Sequence, residues 1–197
     1  MKTISAQPRP VLFANGLIVV ACFFMTATAG ADTFGRARPG IFASINASHG
    51  FKVLSKHATG VLFSLDDDGK EQVIWNERLV NVPVRAFVAP NGKRVVTTDT
   101  HADLGREHSL VIYDDKGKIL GDYRLEDLLS EQEIRDRVPQ TSPNRWWTDE
   151  ASFRFRYDGR DIKYFDITLK WGKIITVNLH SGKLHRPPNE TLNRSDG

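Results

Sequence analysis

The sequence predicts an all-β fold built from antiparallel four-stranded units, and two observations carry that prediction. Short runs of β-branched and aromatic residues are interrupted by glycines that precede Lys or Arg. Asn-Gly, Asp-Gly and Ser-Gly pairs between such runs indicate hairpins, because glycine accepts the positive φ of a tight turn. Their spacings of 23, 25, 42 and 23 residues indicate a repeated hairpin unit with one insertion; the glycines are Gly69, Gly92, Gly117, Gly159 and Gly182.

Residues 1–31 have the pattern of a secretory signal peptide. Lys2 and Arg9 precede an apolar run over residues 11–25, and small residues give an A-x-A ending. The run is short for a membrane span, so we expect cleavage before Asp32 and a secreted or periplasmic protein. A second interpretation is a lipoprotein anchored at Cys22, because residues 19–22 resemble a lipobox. The apolar residues 23–25 that follow favour the first interpretation.

Residues 32–184 are long enough for one domain with its own core. Cys22 is the only cysteine of the chain, so the cleaved form has no disulfide and no thiol nucleophile. The cleaved form carries 25 Lys and Arg against 24 Asp and Glu. This balance argues against a nucleic-acid partner, which would require a basic excess.

The first unit is predicted from strands over residues 41–45, 51–54, 61–65 and 72–75, with turns near Gly50 and at Gly69. The second unit has strands over residues 84–88, 94–98, 110–113 and 119–124. Its turns lie at Gly92 and Gly117, and its residues 94–98 are rich in the β-branched side chains that suit a pleated surface. The two units therefore have matching second halves.

An insertion over residues 125–147 separates the second unit from the third. Within it, Ser130 and Glu133 match a capping box, in which each side chain bonds the other's backbone N–H. The pattern predicts a helix over residues 131–138 that Pro139 ends. The third unit follows, with strands over residues 151–157, 162–169 and 173–179, and a polar tail over residues 185–197 is expected to be disordered.

Two segments carry a resemblance to a known architecture. Residues 89–97 (Ala-Pro-Asn-Gly-Lys-Arg-Val-Val-Thr) and 111–118 (Val-Ile-Tyr-Asp-Asp-Lys-Gly-Lys) belong to a repeat of four short strands. In this respect the chain, over about residues 41–184, resembles the β-propeller blade-repeat proteins secreted by bacteria. Because closed propellers use four to eight blades, three units imply either an open sandwich or barrel or a homo-oligomer that completes the ring.

Phosphate-binding glycine loops, zinc-protease helices and nucleophile elbows are missing from the sequence. The densest polar cluster lies in the loop over residues 99–108, whose imidazoles and carboxylates could act as a general base or ligate a divalent metal. Blade topology brings this loop, His57 and the insertion to one face, where the adjacent tryptophans could bind a sugar or a peptide. The candidate ligand-binding residues are His57, Asp99, His101, Asp103, His108, Trp146 and Trp147.

The missing motifs favour a secreted, non-catalytic binding or assembly module for a protein or saccharide ligand, with no cofactor. The alternative is a hydrolase- or lyase-type enzyme that uses His101, Asp103 and His108, with or without a divalent metal. For the tryptophans, the competing interpretation is that one of the pair packs in the core.

Overall fold

The computed structural model describes residues 40–54, 57–141 and 144–185, all within the compact unit formed by residues 34–197. It contains three antiparallel four-stranded sheets, each made of strands consecutive along the chain. The predicted all-β fold is therefore confirmed. The predicted signal peptide, the lipobox at Cys22 and the tail beyond residue 185 lie outside the described residues.

The first sheet comprises β1 (Gly40–Ala43), β2 (His49–Leu54), β3 (Thr59–Leu65) and β4 (Glu71–Arg78). The turn predicted near Gly50 is wrong: the chain turns over residues 44–48, where Ala47 has φ +55°, and Gly50 lies inside β2. A Cβ on Gly50 would lie 2.3 Å from the ring of Phe63. This glycine is therefore explained by close packing inside a strand and not by a turn.

The second sheet comprises β5 (Pro83–Val88), β6 (Val95–Thr100), β7 (Leu110–Tyr113) and β8 (Ile119–Tyr123). The insertion contains α1 (Leu125–Leu128), α2 (Glu131–Arg137) and the two-residue strands β9 (Gln140–Thr141) and β10 (Asn144–Arg145). The capping box between Ser130 and Glu133 is present at the start of α2. The short helix α1 has no counterpart among the predicted elements.

The third sheet comprises β11 (Ser152–Asp158), β12 (Asp161–Thr168), β13 (Ile174–Asn178) and β14 (Leu184–His185). In every sheet the strands follow sequence order, so each sheet is a meander of hairpins. The turns after the first and third strands lie at one end of the sheets. The connections after the second strands, and the links between sheets, lie at the other end, which we call the loop end.

All five turn glycines named from the sequence have φ between +63° and +75°, the region that an L side chain enters at a cost. All five lie in turns that follow a first or a third strand, and therefore opposite the loop end. The repeated turns thus form one edge of the scaffold. The irregular segments are collected at the other.

The second sheet is the middle layer of the stack. Val95 belongs to an apolar cluster shared with Phe51 and Trp75 of the first sheet. The next residue, Val96, belongs to a cluster shared with Phe165 of the third sheet and with Trp147 of the insertion. Since successive strand residues point to opposite faces, both faces of the second sheet are covered. None of the described helices is long and apolar enough to cross a lipid bilayer.

Candidate functional site

The loop that joins β6 to β7 has an unusual backbone. Of the described non-glycine residues, six have positive φ, and three of these lie in this loop: Asp99 (+60°), Ala102 (+67°) and His108 (+55°). Such conformations cost free energy and persist where surrounding contacts enforce them. We call the segment formed by residues 99–109 the β6–β7 loop; it includes the last two residues of β6, and it must be held by its neighbours.

Backbone bonds close the loop and fasten it to its neighbours. The Asp99 N–H donates to the Ser109 carbonyl at 3.1 Å, which closes the base. The His101 N–H donates to the carbonyl of Val82 at 2.9 Å, in the link between the first two sheets. From the same link, the side-chain amide of Asn81 donates to the Asp99 carbonyl at 3.2 Å. The position of the His101 backbone is thus tied to the start of β5.

The side chain of Asp99 joins the loop to the insertion. The residue is only 3% exposed. Its Oδ1 accepts the indole N–H of Trp147 at 2.7 Å and the backbone N–H of Gly105 at 2.9 Å, and its Oδ2 accepts the Thr148 hydroxyl at 3.3 Å. Burial raises the pKa of Asp99 above its ordinary value, although these hydrogen bonds and the charge of Arg85 act in the opposite direction.

Further bonds connect the same two segments. The Leu104 N–H donates to the Asn144 side-chain oxygen, and the Arg145 N–H donates to the Leu104 carbonyl, both at 3.1 Å. At Gly105, where φ is +65°, a Cβ would lie 2.5 Å from the carbonyl oxygen of Arg145. Only glycine allows this approach, so the β6–β7 loop and the insertion form one closely packed unit at the loop end.

A pocket of about 180 Å³ opens beside this unit. The first strands of the first and second sheets, β1 and β5, lie side by side there. Among the described residues that line the pocket, His101 is the one titratable side chain, and the others carry no charge. They are Gly40, Phe42, Val53, Val82, Pro83 and Val84.

The other predicted residues of the loop have different partners. Asp103 forms an ion pair with Arg106 at 3.3 Å. His108 Nδ1 lies 2.9 Å from the Asp122 carboxylate on β8. His101, Asp103 and His108, which were predicted to act together, thus each have different neighbours. Within the described ranges, no three His, Cys, Asp or Glu side chains are arranged to hold a metal ion.

The two adjacent tryptophans have different surroundings. Trp147 is fully buried, in agreement with the core interpretation for one of the pair. Trp146 is 38% exposed, and its indole N–H donates to the Thr141 hydroxyl at 3.1 Å. His57 is exposed in the connection between β2 and β3. A ligand-binding role for His57 and Trp146 stays a prediction.

Several residues of the site escaped sequence reasoning. Thr148 and Gly105 complete the contacts of Asp99, and Phe42 and Val82 form walls of the pocket. Asp99 and Thr148 are 49 residues apart, and no local pattern links them. The one available signal was the position of the loop and the insertion at the same end of the predicted sheets.

Three face-packed antiparallel sheets with their long connections at one end define a blade-type, propeller-like β architecture. Neither a protein-family model nor a curated protein sequence matches the chain. Among solved structures, it is similar to a periplasmic gluconolactonase from Pseudomonas aeruginosa, with a TM-score of 0.41 and 10% identity. It is also similar to proteins assigned as 6-phosphogluconolactonases from Bacteroides uniformis (0.43, 15%) and Bacteroides fragilis (0.41, 14%).

These similarities cover 76–77% of this chain and 38–39% of the other chains, so it spans about two fifths of their length. All three structures are named as lactonases, which are hydrolytic enzymes. This finding contradicts the predicted preference for a non-catalytic binding or assembly module over an enzyme, and it is in accord with the alternative, a hydrolase-type enzyme. At these identities the similarity concerns the fold, and a site must be argued from the chain's own residues.

Proposed function

We propose that the chain is a hydrolase-type enzyme in which His101 acts as general base in the pocket between β1 and β5. One observation supports this proposal above the others. Over the part of the chain that the structure describes, an imidazole is the one titratable group on the wall of this pocket, and histidine is the side chain most often used for general acid–base catalysis. The strained β6–β7 loop that presents it is a second feature typical of functional sites.

The chemistry that such a group can perform is hydrolysis of an ester or a lactone. The imidazole accepts a proton from water while the water oxygen forms a bond to the carbonyl carbon. The acyl C–O bond then breaks, and the imidazolium returns the proton to the departing alkoxide. One water is consumed and a hydroxy acid results from a lactone, so His101 ends in its starting form.

The pocket wall favours a small, uncharged substrate. The pocket, at about 180 Å³, has room for a small molecule. None of the described lining residues is a lysine or an arginine, so beside them a phosphate or carboxylate group would lose hydration without gaining a partner. We therefore expect neutral lactones to be better substrates than phosphorylated ones.

A continuous acid-release assay tests the proposal. The purified chain is compared with His101→Gln and His108→Gln on glucono-1,5-lactone, δ-valerolactone and 6-phosphogluconolactone, with spontaneous hydrolysis subtracted. We expect His101→Gln to lower kcat/KM by about 10²-fold or more, as for loss of a general base, and His108→Gln to change it less than about twofold. Hydrolysis of none of these lactones, or equal loss in both variants, would overturn the proposal.

We propose in addition that residues 1–31 direct export to the periplasm, in accord with their basic, apolar and small-residue segments. Fractionation of cells that express the whole chain with a C-terminal tag tests this. Recovery in the periplasmic fraction after Cys22→Ser substitution supports cleavage at an A-x-A site. A membrane-bound form that Cys22→Ser releases would instead establish the lipoprotein.

A further inference from the structure

Asp99 lies two residues before His101, and its hydrogen bonds connect the β6–β7 loop to itself and to the insertion. Its backbone closes the base of the β6–β7 loop on Ser109, and its carboxylate binds the amide of Gly105 within the same loop. It also binds the side chains of Trp147 and Thr148 in the insertion. No other side chain described for this loop has as many donors directed at it from two segments.

We propose that Asp99 is the positioning residue for His101: through its carboxylate, the insertion sets where the imidazole stands in the pocket. The proposal depends on the proposed function only in taking His101 as the reacting group. Asp99 is not itself among the residues that line the pocket, so its effect must pass through the loop.

The loop needs this support because its backbone does not favour the conformation on its own. Positive φ at Asp99 and Ala102, on either side of His101, costs conformational free energy. From His101 onward, the loop is held by the bond from the His101 N–H to Val82 and by the bonds of Leu104 to the insertion. The Asp99 carboxylate holds the near side, and it does so from a buried place where unpaired donors would be costly.

The hydrogen bonds of Asp99 allow its positioning of the loop to be distinguished from an effect of its negative charge. Both short hydrogen bonds, from Trp147 and from Gly105, end on the same oxygen, Oδ1. In Asp99→Asn this oxygen remains as a carbonyl acceptor, and the new amide group can donate to the Thr148 hydroxyl, which accepts as well as donates. Asparagine also tolerates positive φ, so this variant removes the charge and keeps the contacts.

Asp99→Gly provides the opposite change. Glycine accepts φ +60° without strain, so the backbone conformation is allowed, while the acceptor for Trp147 and Gly105 is lost. Asp122→Asn is the matched control, because Asp122 binds His108 near the other end of the same loop. It makes the same chemical change at a half-exposed site and leaves the contacts with the insertion intact.

The experiment records the imidazole ¹H–¹⁵N resonances of the full chain, with the His101 signals identified by their loss in His101→Gln. We expect Asp99→Asn and Asp122→Asn to leave these signals in place, and Asp99→Gly to shift them or broaden them beyond detection. In the lactone assay, Asp99→Gly is expected to lower kcat at least about tenfold with little change in KM, as for a lost alignment.

Unchanged His101 signals in Asp99→Gly would overturn the proposal. So would equal damage in Asp99→Asn, because that result would assign the effect to charge. If Asp99→Gly does not fold, Trp147→Phe is measured instead, because it removes one donor to Oδ1 and keeps a ring in the core. In Trp147→Phe, His101 signals at their wild-type positions would overturn the proposal, and displaced His101 signals would support it. Should the chain hydrolyse no lactone, the proposed function fails, whereas the resonances still decide whether Asp99 positions His101.

Discussion

At the residue scale, the turn glycines differ in what lies beside them. A Cβ on Gly159 would meet open space, whereas a Cβ on Gly182 would lie 2.3 Å from the Leu120 carbonyl oxygen of the second sheet. Gly92 likewise abuts His49 of the first sheet. These turns therefore serve two purposes. They reverse the chain, and where they meet a neighbouring sheet they allow the sheets to approach.

The pair Gly159→Ala and Gly182→Ala separates these purposes, since the two residues have nearly equal φ, +63° and +69°. Gly159→Ala is expected to lower the free energy of unfolding by about 1–2 kcal/mol, the cost of a left-handed alanine. Gly182→Ala adds a clash with backbone and is expected to cost about 3 kcal/mol or more. Urea unfolding followed by tryptophan fluorescence measures both. Equal losses would show that the contact with Leu120 relaxes freely.

At the element scale, the sequence predicted what local chemistry determines. The alternation in residues 152–158 and the pairs that end in Gly117 or Gly159 depend on a few neighbouring residues, and those strands and turns are present. Gly50 was misassigned because its cause, the ring of Phe63 on another strand, is invisible locally. In the candidate site, too, the sequence predicted the local features and missed the long-range contacts. Its loop was identified from composition, while the contact of Asp99 with Trp147 and the pocket beside His101 arise from long-range packing.

In the insertion, one residue takes part both in a local capping interaction and in a long-range contact. Glu133 completes the capping box with Ser130 and also binds the Lys173 ammonium at 2.7 Å, in the connection between β12 and β13. Burial raises the pKa of Glu133, but the hydrogen bonds from Lys173 and Ser130 outweigh it, and the net shift is downward. The cap of α2 is therefore also the attachment of the insertion to the third sheet.

Ser130→Ala tests this arrangement. Loss of the side-chain acceptor for the Glu133 N–H is expected to cost about 1 kcal/mol, the usual value for a cap residue. Amide hydrogen exchange should accelerate in α2 and in the connection that holds Lys173, because both depend on the position of Glu133. Gln132→Ala, an exposed position in the same helix, is the control and should leave exchange near Lys173 unchanged. Faster exchange confined to α2 would mean that the attachment survives without the cap.

At the scale of the whole molecule, the third sheet carries a polar cluster on the face opposite its core. Asp166 is 4% exposed and accepts hydrogen bonds from Arg156 at 2.8 Å and from the Thr176 hydroxyl at 2.8 Å. Burial raises the pKa of Asp166, but the hydrogen bonds from Arg156 and Thr176 outweigh it, so the net pKa is lowered. Two buried carboxylates of one chain thus have opposite shifts, since the pKa of Asp99 is raised.

The opposite pKa shifts predict that stability depends on pH in two separate ranges, one above pH 3.8 that is due to Asp99 and one below pH 3.8 that is due to Asp166. The folded state binds the Asp99 proton more tightly than the unfolded state, so this residue contributes increasing stability as the pH falls toward its ordinary value of 3.8. Asp166 contributes stability that is fully present above 3.8 and is lost as the pH falls through its lower folded pKa. Asp99→Asn should therefore raise stability near neutral pH, and it should make stability less dependent on pH above 3.8.

Asp166→Asn should do the reverse. It removes a charged acceptor from Arg156 and Arg154, which we expect to cost about 1–3 kcal/mol at pH 7, and it should make stability less dependent on pH below 3.8. Urea midpoints between about pH 2.5 and pH 7 measure both variants. A wild-type dependence on pH below 3.8 in Asp166→Asn would contradict the assignment, because the stabilising proton release would then belong to other carboxylates. Asp99 lies in β6 and Asp166 in β12, and the two carboxylates share no hydrogen-bond partner. The double variant should therefore show the sum of the two changes in stability within about 0.5 kcal/mol.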